Sequence, residues 1–365
     1  MSDLTRLLSD LVAIDSVNPE LVEGGAGEGK IGRFVAEWLE RGGLEVTLQE
    51  VAPGRSNAVA VRRGSGGGRS LVFNAHMDTV GVAGMVAPHE PRVEGERLYG
   101  RGAYDMKGGL AAAMSAAASV DGLRGDVIVA AVCDEEAGAL GTRGFVDGWP
   151  GADGAVVTEP TEERVVIAHK GFVGFEIETA GRAAHGSRPD EGIDAIVAMG
   201  PVLTELGALD EVLTRAATHQ LLGRASLHAS LIEGGQEFSS YPDRCLVTGE
   251  WRTLPGDTAA DVRRRLEDAV ARSGTSADVR LLHIGEPFEI DPQAQLPELV
   301  RTHAGTEFAG VSYWADSAIL SAAGIPTVLY GPIGEGAHAV VEWVDLRSVE
   351  RVRDALVGVA RDFCG

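Results

Sequence analysis

Residues 71 to 80 read LVFNAHMDTV, an apolar run that ends in a histidine and an aspartate. The apolar run predicts a buried strand at 70–75. His76 and Asp78 are two residues apart, and side chains at that spacing lie on the same face of an extended chain. A carboxylate that accepts a hydrogen bond from a histidine ring commonly holds that ring in place for a metal ion. The stretch therefore indicates either a metal site or a partly exposed turn.

Helical and extended patterns alternate on both sides of this strand. Apolar residues at helical spacing, or runs of small residues, predict helices at 4–12, 31–39 and 107–119. Extended segments are expected at 44–51, 57–63, 126–133 and 154–158. The last two are apolar apart from Asp126 at the start of one and Thr158 at the end of the other, as strands are in a sheet covered on both faces. This alternation predicts an α/β layer architecture, in which the glycine-rich stretch RRGSGGGRS at 62–70 is interpreted as a hairpin tip.

From about residue 172 the order of the patterns changes. The predicted elements are strand, helix, strand, strand, helix and strand, at 172–180, 192–206, 225–235, 244–253, 257–274 and 277–285. This βαββαβ order is that of the ferredoxin-like split unit, which forms a domain by itself. The α/β pattern returns at 325–332 and in a final helix from about 346. We therefore predict one α/β domain in two parts, 1–171 and 286–365, with an inserted domain at 172–285.

The charge balance opposes some classes of partner. The chain has 54 acidic and 32 basic residues, for a net charge of -22. Such an excess of negative charge disfavours binding to nucleic acid or to an anionic membrane surface. The sequence also has no run of roughly 18 to 20 apolar residues, the length needed to span a bilayer. We therefore expect neither nucleic acid nor membrane as a partner.

Cysteine usage and the beginning of the chain bear on the compartment. Cys133, Cys245 and Cys364 are widely spaced and odd in number, which indicates neither a disulfide framework nor a cysteine-based zinc site. The first residues, MSDLTRLLSDLVAIDSVNPE, have acidic residues among the apolar ones and do not read as a secretory signal. A cytoplasmic protein is expected.

Side chains that bind metals or move protons follow several of the predicted strands. Besides His76 and Asp78, these are Glu135 and Glu136 after 126–133, Glu159 after 154–158, Asp105 before a helix, and His338 in a glycine-rich loop. In open α/β sheets, sites gather beyond the carboxyl ends of the strands. Two histidines with three or four carboxylates suit a pair of divalent ions such as zinc.

The adjacent acids Glu135 and Glu136 admit two interpretations. In so acidic a chain, a solvated loop is the ordinary one. However, both follow a buried strand, and neighbouring residues of an extended backbone face opposite sides. One carboxylate could then bind a metal while the other faces a substrate, which is what a metal-assisted hydrolase needs.

The ordered motifs NAHMDTV, GRGAYDMKGG, DEEAG, TEPT, GRAAHGSRPDEGIDAI, EWRTLPGD and GEGAHAVVEWV extend over nearly the whole chain. Together they resemble the dinuclear zinc peptidase and deacylase family that includes acetylornithine deacetylase, succinyl-diaminopimelate desuccinylase, aminoacylase and the glutamate carboxypeptidases. The resemblance implies a zinc-peptidase-type α/β catalytic domain with an inserted ferredoxin-like lid and dimerisation domain. It also implies a small-molecule substrate and two zinc ions, for which cobalt or manganese can substitute.

Residue by residue, the resemblance implies five metal ligands. Asp105 would bridge the two ions, and the remaining ligands would be His76 with Glu159 at one ion and Glu136 with His338 at the other. Asp78 would be the hydrogen-bond partner of the His76 ring. Glu135 would be the general base that takes a proton from the bridging water and returns it to the leaving amine. The peptide bond between Asp105 and Met106 is expected to be cis.

Two residues of the inserted domain also match the family's motifs. His185 resembles the lid histidine that reaches the partner subunit's active site and donates a hydrogen bond to the developing oxyanion, which implies a homodimer through this domain. Arg252 resembles the lid arginine that grips a substrate carboxylate. A surface histidine and a surface ion pair are the alternatives. Where many relatives have an asparagine in the lid, this chain reads SSYP at 239–242, so that contact differs.

These residues favour an enzyme over a binding module on the same fold, because Glu135 and all five implied ligands are present. The leading hypothesis is a metal-dependent hydrolase that cleaves the amide bond of an N-acyl amino acid with a metal-activated bridging water. The alternative is a dipeptidase or a glutamate-carboxypeptidase-like metallopeptidase. Near Asp316, the side chains of Tyr313 and Trp314 are expected either to pack beneath the site or to contact the substrate.

Overall fold

The computed structural model describes residues 2–149 and 151–365. The helices are α1 (Asp3–Val12), α2 (Gly29–Arg41), α3 (Gly108–Ser119), α4 (Leu140–Gly148), α5 (Ala195–Arg215), α6 (Ala259–Ser273), α7 (Gln295–Ala304), α8 (Ser317–Ala322) and α9 (Leu346–Cys364). Within those described ranges, no helix combines the length and the apolar character that crossing a membrane requires.

The strands range from two to ten residues. They are β1 (Glu45–Ala52), β2 (Arg55–Arg62), β3 (Leu71–His76), β4 (Arg92–Glu94), β5 (Arg97–Tyr99), β6 (Val127–Val132), β7 (Gly154–Val157), β8 (Val165–His169), β9 (Gly171–Ala180), β10 (Ser226–Gly234), β11 (Arg244–Thr253), β12 (Ala277–Gly285), β13 (Phe288–Glu289), β14 (Phe308–Val311), β15 (Thr327–Leu329), β16 (Gly334–Glu335) and β17 (Trp343–Asp345). All the helices and strands expected from periodicity are present, with ends that move by a few residues, except that α5 extends nine residues beyond the expected end at 206.

The chain forms two compact units. The first comprises Met1–Ile167, Ile290–Ala309 and Ala315–Gly365, and the second comprises Ala168–Glu289 and Gly310–Trp314. The division at 172 and 285 that the sequence pattern indicates stays a prediction for where the domains begin and end.

The large sheet of the first unit brings several strand ends together. Within this unit, its strands run in the order β1-β2-β6-β3-β7-β15-β8. Strands β6, β3, β7 and β15 are parallel, whereas β1 and β2 run antiparallel to each other. In the register, His76 of β3 lies opposite Val132 of β6, and Asn74 lies opposite Val157 of β7. The carboxyl ends of these strands are therefore neighbours, and the residues that follow them share one edge of the sheet.

Helix α3 illustrates how this sheet is covered. Most of its residues are alanine or glycine and are buried, and the helix contacts α1, α9 and β3. Small side chains let these neighbours approach closely, so α3 is enclosed along most of its length. The sheet is thus covered by helices, as the wholly apolar strands β6 and β7 indicate. The α/β class expected from the sequence is confirmed.

The interpretation of residues 62–70 as a hairpin tip is wrong. Strand β6 lies between β2 and β3, so these consecutive strands are not partners. The glycine-rich stretch instead follows the chain just before β6, where Ser65 N and Gly66 N donate to the carbonyls of Leu123 and Arg124. A Cβ on Gly64 would lie 2.4 Å from the Arg124 carbonyl oxygen. The glycines therefore serve this close approach of two backbones.

The second unit has the βαββαβ order expected for a ferredoxin-like domain. Its antiparallel sheet has the strand order β10-β11-β9-β12. Along β9 and β11, buried and partly exposed residues alternate, and α5 and α6 pack with the sheet around Phe175, Val247, Trp251 and Leu266. The class and order of this domain are confirmed.

A small sheet in the first unit has no counterpart in the sequence pattern. Strands β16, β17, β5 and β4 are neighbours in that order, and each has only two or three residues. Elements this short show no periodicity that a sequence reading can detect. This sheet is relevant to the site because β17 follows the loop that contains His338.

Candidate metal centre

Three of the residues expected at the site follow neighbouring strands of the large sheet. His76 is the last residue of β3, Glu136 follows β6 and Glu159 follows β7. Asp105 lies in a kinked turn, Ala103–Lys107, directly before α3, and its own backbone is not helical. The peptide bond between Asp105 and Met106 is cis, as expected.

The first group of possible metal ligands consists of His76, Asp105 and Glu159. His76 Nε2 lies 3.2 Å from Asp105 Oδ1 and 3.6 Å from Glu159 Oε1. His76 and Glu159 are buried, and Asp105 is partly exposed. One imidazole nitrogen and two carboxylate oxygens thus face one point from three separate segments of the chain.

The second group consists of Asp105, Glu136 and His338. His338 Nε2 lies 3.0 Å from Glu136 Oε2 and 3.5 Å from Asp105 Oδ2. The two oxygens of Asp105 therefore face different groups, Oδ1 the first and Oδ2 the second. Asp105 is the residue that connects them.

The two groups fit divalent cations. A tetrahedral ion with ligand bonds of about 2.0 to 2.1 Å holds its ligand atoms about 3.3 to 3.4 Å apart, close to the separations here. Nitrogen and carboxylate oxygen are donors that zinc accepts. In addition, Glu136 Oε1 is buried and has no hydrogen-bond partner within the described part of the chain. An unpaired buried carboxylate oxygen is costly unless a cation or a proton compensates it.

Asp78 is the hydrogen-bond partner of the His76 ring, as expected, but its main-chain carbonyl is the acceptor and not its carboxylate. His76 Nδ1 lies 2.9 Å from the main-chain carbonyl oxygen of Asp78 and 3.7 Å from its carboxylate. Strand β3 ends at His76, so the two side chains do not continue along one extended face. The carbonyl still fixes the ring. When Nδ1 donates to it, Nε2 is free of the proton and faces the group formed with Asp105 and Glu159.

The Asp78 carboxylate contacts the main chain of the neighbouring loop instead. Its Oδ1 accepts a hydrogen bond from Glu135 N at 3.1 Å, and its Oδ2 accepts one from Glu136 N at 3.2 Å. Oδ2 also accepts a bond from Asn18 Nδ2 at 2.8 Å. Burial raises the pKa of Asp78 to about 6. Asp78 thus connects the strand end that contains His76 with the loop that contains both glutamates.

Glu135 belongs to neither group of possible ligands, although it lies beside them. Burial, followed by the charge of Glu159, raises the pKa of Glu135 well above its ordinary value. A carboxylate with a raised pKa can accept a proton from water near neutral pH and later release it.

Asp105 and the two histidines shift one another's pKa values. Burial acts to raise the pKa of Asp105, but hydrogen bonds from His338 and His76 outweigh it and lower that pKa. Hydrogen bonds to Asp105 and Glu136 raise the pKa of His338 to about 10. Burial acts to lower the pKa of His76, but the carboxylates of Glu159 and Asp105 hold it well above its usual value. The surrounding carboxylates raise the pKa of both imidazoles, and a bound cation would balance the charge of those carboxylates instead.

We predict that the metal-free protein loses stability as the pH rises. The pKa values of Asp78, Glu135, Glu159 and His338 are all raised by folding. The folded chain then binds more protons than the unfolded chain from roughly pH 4 upwards, so its free energy of unfolding falls with pH. Asp105, with its lowered pKa, acts in the opposite sense only below that range. Thermal unfolding of dialysed protein at about pH 5.5 and about pH 8 measures this effect.

The metal-loaded protein is the control for this experiment. Bound cations take the place of the protons, so the unfolding midpoint should depend less on pH when metal is present. A metal-free midpoint that rises from about pH 5.5 to about pH 8 would contradict the assigned environment of these carboxylates.

Two buried residues that the sequence reading did not single out support the turn that contains Asp105. The Glu342 carboxylate accepts hydrogen bonds from Gly102 N, Tyr104 N and Asp105 N at 2.9 to 3.0 Å. Arg101 Nη1 donates to Glu342 at 2.7 Å, and Nη2 donates to the carbonyls of Gly81 and Ala339. Glu342 lies near the end of the motif GEGAHAVVEWV, and its place in that motif was the one signal available from the sequence.

Asp316 and Trp314, which are close in sequence, lie in different units. Asp316 is 1% exposed and accepts a hydrogen bond from Thr142 Oγ1 at 2.6 Å. Burial raises its pKa to about 7. In the second unit, Trp314 Nε1 donates to the Glu286 carbonyl, and its ring packs edge-on against Phe172. For Trp314, packing is therefore the better supported of the two alternatives.

His185 and Arg252 both lie in the second unit. His185 is exposed, and its Nδ1 accepts a hydrogen bond from Ser187 N at 3.2 Å. Arg252 Nε donates to Glu250 at 2.7 Å, and its guanidinium lies 5.7 Å from the centre of the Phe172 ring. The roles of both residues stay predictions.

Comparisons with known proteins agree with this fold. The profile described as "Peptidase family M20/M25/M40" matches residues 72–362. An acetylornithine deacetylase of Myxococcus xanthus is 29% identical over 382 residues, covering 99% of this chain and 98% of the relative. A tripeptidase from Staphylococcus aureus has the same fold with a TM-score of 0.81 at 20% identity, covering 99% of this chain and 98% of that one. A dinuclear metal-binding M20 peptidase of Bacillus subtilis has a TM-score of 0.75 at 17% identity, with coverage of 99% and 97%.

The fold and the two ligand groups, together with these likenesses, define a metal-dependent enzyme that hydrolyses amide bonds. The chain belongs to peptidase family M20/M25/M40, since the family profile matches 72–362 of its 365 residues. The family resemblance deduced from the ordered motifs is thereby confirmed.

Proposed function

We propose that this enzyme removes the acyl group from an N-acyl amino acid and releases a carboxylic acid and a free amino acid. The observation that carries the proposal is that Asp105 is shared by two groups of possible metal ligands, with Glu135 beside them. That the Myxococcus xanthus relative is named an acetylornithine deacetylase supports an acyl amino acid as substrate.

In this proposal His76, Asp105 and Glu159 hold one ion, and Asp105, Glu136 and His338 hold the other. When bound, two divalent cations polarise the scissile carbonyl and lower the pKa of water. Glu135 takes the proton from that water and delivers it to the departing amine, which is the work of a general base and then of a general acid. Asp78 holds the His76 ring and, through its carboxylate, the loop that contains Glu135 and Glu136, which is called the glutamate loop below.

We propose zinc as the native metal, with cobalt or manganese as substitutes. The mixed set of imidazole nitrogens and carboxylate oxygens supports zinc, because a site for magnesium or calcium would be built from oxygen ligands alone. Metal analysis of protein purified without chelators, and reconstitution with each ion in turn, tests this choice.

The second unit is proposed to complete the site in a homodimer. His185 would donate to the oxyanion in the partner subunit, and its exposed ring, with Nδ1 bonded to Ser187, leaves Nε2 for that purpose. Arg252 would bind the substrate carboxylate. Exposed apolar side chains of this unit, Leu231, Ile232 and Phe238 among them, support an interface between copies.

A dipeptidase or carboxypeptidase is the second candidate. It is favoured by the likeness in fold to solved peptidases, among them the tripeptidase from Staphylococcus aureus. The two candidates differ in the acyl side of the substrate, which is a simple acyl group in one and an amino acid with a free or peptide amine in the other.

Release of free amine from a panel of substrates distinguishes the candidates. The panel contains N-acetyl, N-succinyl and longer N-acyl amino acids beside unblocked dipeptides, each with the zinc-loaded enzyme and again after chelation. We expect turnover that chelation abolishes and that is confined to the acyl amino acids. A preference for dipeptides would establish the second candidate, whereas turnover that chelation does not affect would overturn the proposed metal dependence.

We also propose that the enzyme works in the cytoplasm. All three cysteines, Cys133, Cys245 and Cys364, are free and buried, as in proteins that mature in a reducing compartment. Fractionation of cells that express the full chain tests this proposal.

A further inference from the structure

A buried asparagine lies behind the candidate centre and bridges two carboxylates. Asn18 Nδ2 donates to Asp78 Oδ2 at 2.8 Å and to Asp134 Oδ1 at 3.1 Å. Asn18, Asp78 and Asp134 are each 1% exposed or less. The Asp78 carboxylate also accepts hydrogen bonds from the main-chain amides of Glu135 and Glu136. Asn18 is therefore connected to the main chain of both glutamates through this one carboxylate.

An arginine approaches the same loop from the other side. Arg55, the first residue of β2, forms a fork with Glu28 through Nε at 2.7 Å and Nη2 at 2.6 Å. Nη2 also donates to Asp134 Oδ1 at 2.9 Å, and Glu28 Oε1 accepts from Asp134 N at 3.2 Å. Arg55 is 8% exposed and Glu28 is fully buried. Asp134 is thereby held at both its side chain and its main chain.

The backbone of this loop needs such support. Asp134 has a φ of 67° and Ala139 a φ of 54°, in the left-handed region that residues other than glycine rarely adopt. The Asp134 carbonyl accepts from Gly138 N and Ala139 N, so a tight turn encloses the two glutamates. A conformation of this kind persists when its surroundings determine it from several sides.

We propose that Asn18 and Arg55 are positioning residues for the reaction, which fix the main chain of Glu135 and Glu136 through Asp78 and Asp134. This inference rests on the proposed roles of Glu135 as base and Glu136 as ligand. Neither Asn18 nor Arg55 is among the groups that could hold a metal or that face the scissile bond in the proposal. They act through the loop alone.

The geometry explains why catalysis should depend on these residues. A base must stand within hydrogen-bond reach of the proton it takes, and a displacement of about 1 Å can lower the rate by about 100-fold. The network fixes the loop at Asp134 N, at the Asp134 carboxylate and at the amides of Glu135 and Glu136. Loss of one support allows the glutamates to move without removing any ligand.

Asn18→Ala is the first test, on the full-length enzyme. It removes the donor between the two carboxylates, and we expect kcat to fall by about 10- to 100-fold with little change in KM. Two further readouts separate positioning from mere loss of folded protein. The acidic limb of the pH profile of kcat/KM should be displaced, and the visible absorption of the Co²⁺-loaded protein should change because Glu136 has moved.

Arg55→Lys is the second test, with Arg62→Lys as its matched control. Lysine keeps the charge but cannot form the fork to Glu28 and reach Asp134 together. Arg62 ends the same strand, β2, and donates to main-chain carbonyls of Gly42, Gly43 and Ala118, away from the glutamate loop. Arg55→Lys should change the pH profile and the Co²⁺ spectrum in the same way as Asn18→Ala. The pH profile and the Co²⁺ spectrum of Arg62→Lys should be those of the parent enzyme.

Two outcomes overturn the inference. One is a kcat within about twofold of the parent enzyme for both Asn18→Ala and Arg55→Lys, with an unchanged Co²⁺ spectrum. The other is a loss of activity that only parallels the loss of folded protein, with the pH profile in place. If Glu135→Gln, assayed in parallel, keeps its turnover, the proposed base itself is wrong, and that failure is separate from the failure of the positioning residues.

Discussion

Replacement of Glu135 by glutamine is expected to lower kcat by about 100- to 10,000-fold, the usual contribution of a positioned general base. Glutamine has nearly the same shape as glutamate but cannot accept the proton. Because Glu135 is in neither ligand group, the variant should bind metal as the parent does. The measurement is steady-state kinetics on the preferred substrate, together with the metal content of the same preparation.

A suitable control is Glu37→Gln, on the exposed face of α2. The Glu37 side chain is 68% exposed and lies 3.9 Å from Arg41, so its loss should change neither kcat nor metal content. Turnover of Glu135→Gln within about tenfold of the parent would show that another group takes the proton. Loss of metal along with turnover would mean that Glu135 is itself a ligand.

Asp105→Asn is expected to abolish metal binding at both groups of ligands. Each carboxylate oxygen of Asp105 faces a different group, and a neutral amide is a poor substitute for a carboxylate that two cations share. His338→Ala, by contrast, removes a residue of the second group only, so it should lose one ion and keep the other. Metal content per chain after gel filtration should therefore be about zero for the first variant and about one for the second.

His303→Ala is the matched control for the histidine. His303, on α7, pairs with Asp362 of α9 at 2.8 Å and belongs to neither group of ligands. It should keep the metal content of the parent. Equal loss of both ions in His338→Ala would contradict the division into two groups, and retention of both in Asp105→Asn would contradict the shared carboxylate.

Much of the fold follows from local patterns. Strands such as β6 and β7 are uninterrupted apolar runs, and α2 has apolar residues on one face, so their places in the chain can be predicted. The order of the strands in the sheet cannot be predicted in this way, because pairing joins segments far apart in the chain. The hairpin expected at 62–70 failed for that reason, since β6 enters between β2 and β3.

The candidate centre shows the same limit. Its acidic and basic side chains could be predicted because each follows a strand or lies in an ordered motif. The acceptor for the His76 ring could not, because it is a main-chain carbonyl, and the end of the strand decides where that carbonyl points. Arg55 and Asn18 were also missed. Their partners lie up to 116 positions away and no spacing reveals them.

Asp105 belongs to both groups of possible ligands, so the positions of the other ligands along the chain decide which group is complete first during synthesis. All three side chains of the first group have been synthesised once Glu159 has been added to the growing chain. The second group waits for His338, which lies 179 residues beyond Glu159. On the ribosome, therefore, the three side chains of the first group are present long before the second group is complete, whereas Glu342, which accepts a hydrogen bond from Asp105 N, is added only after His338.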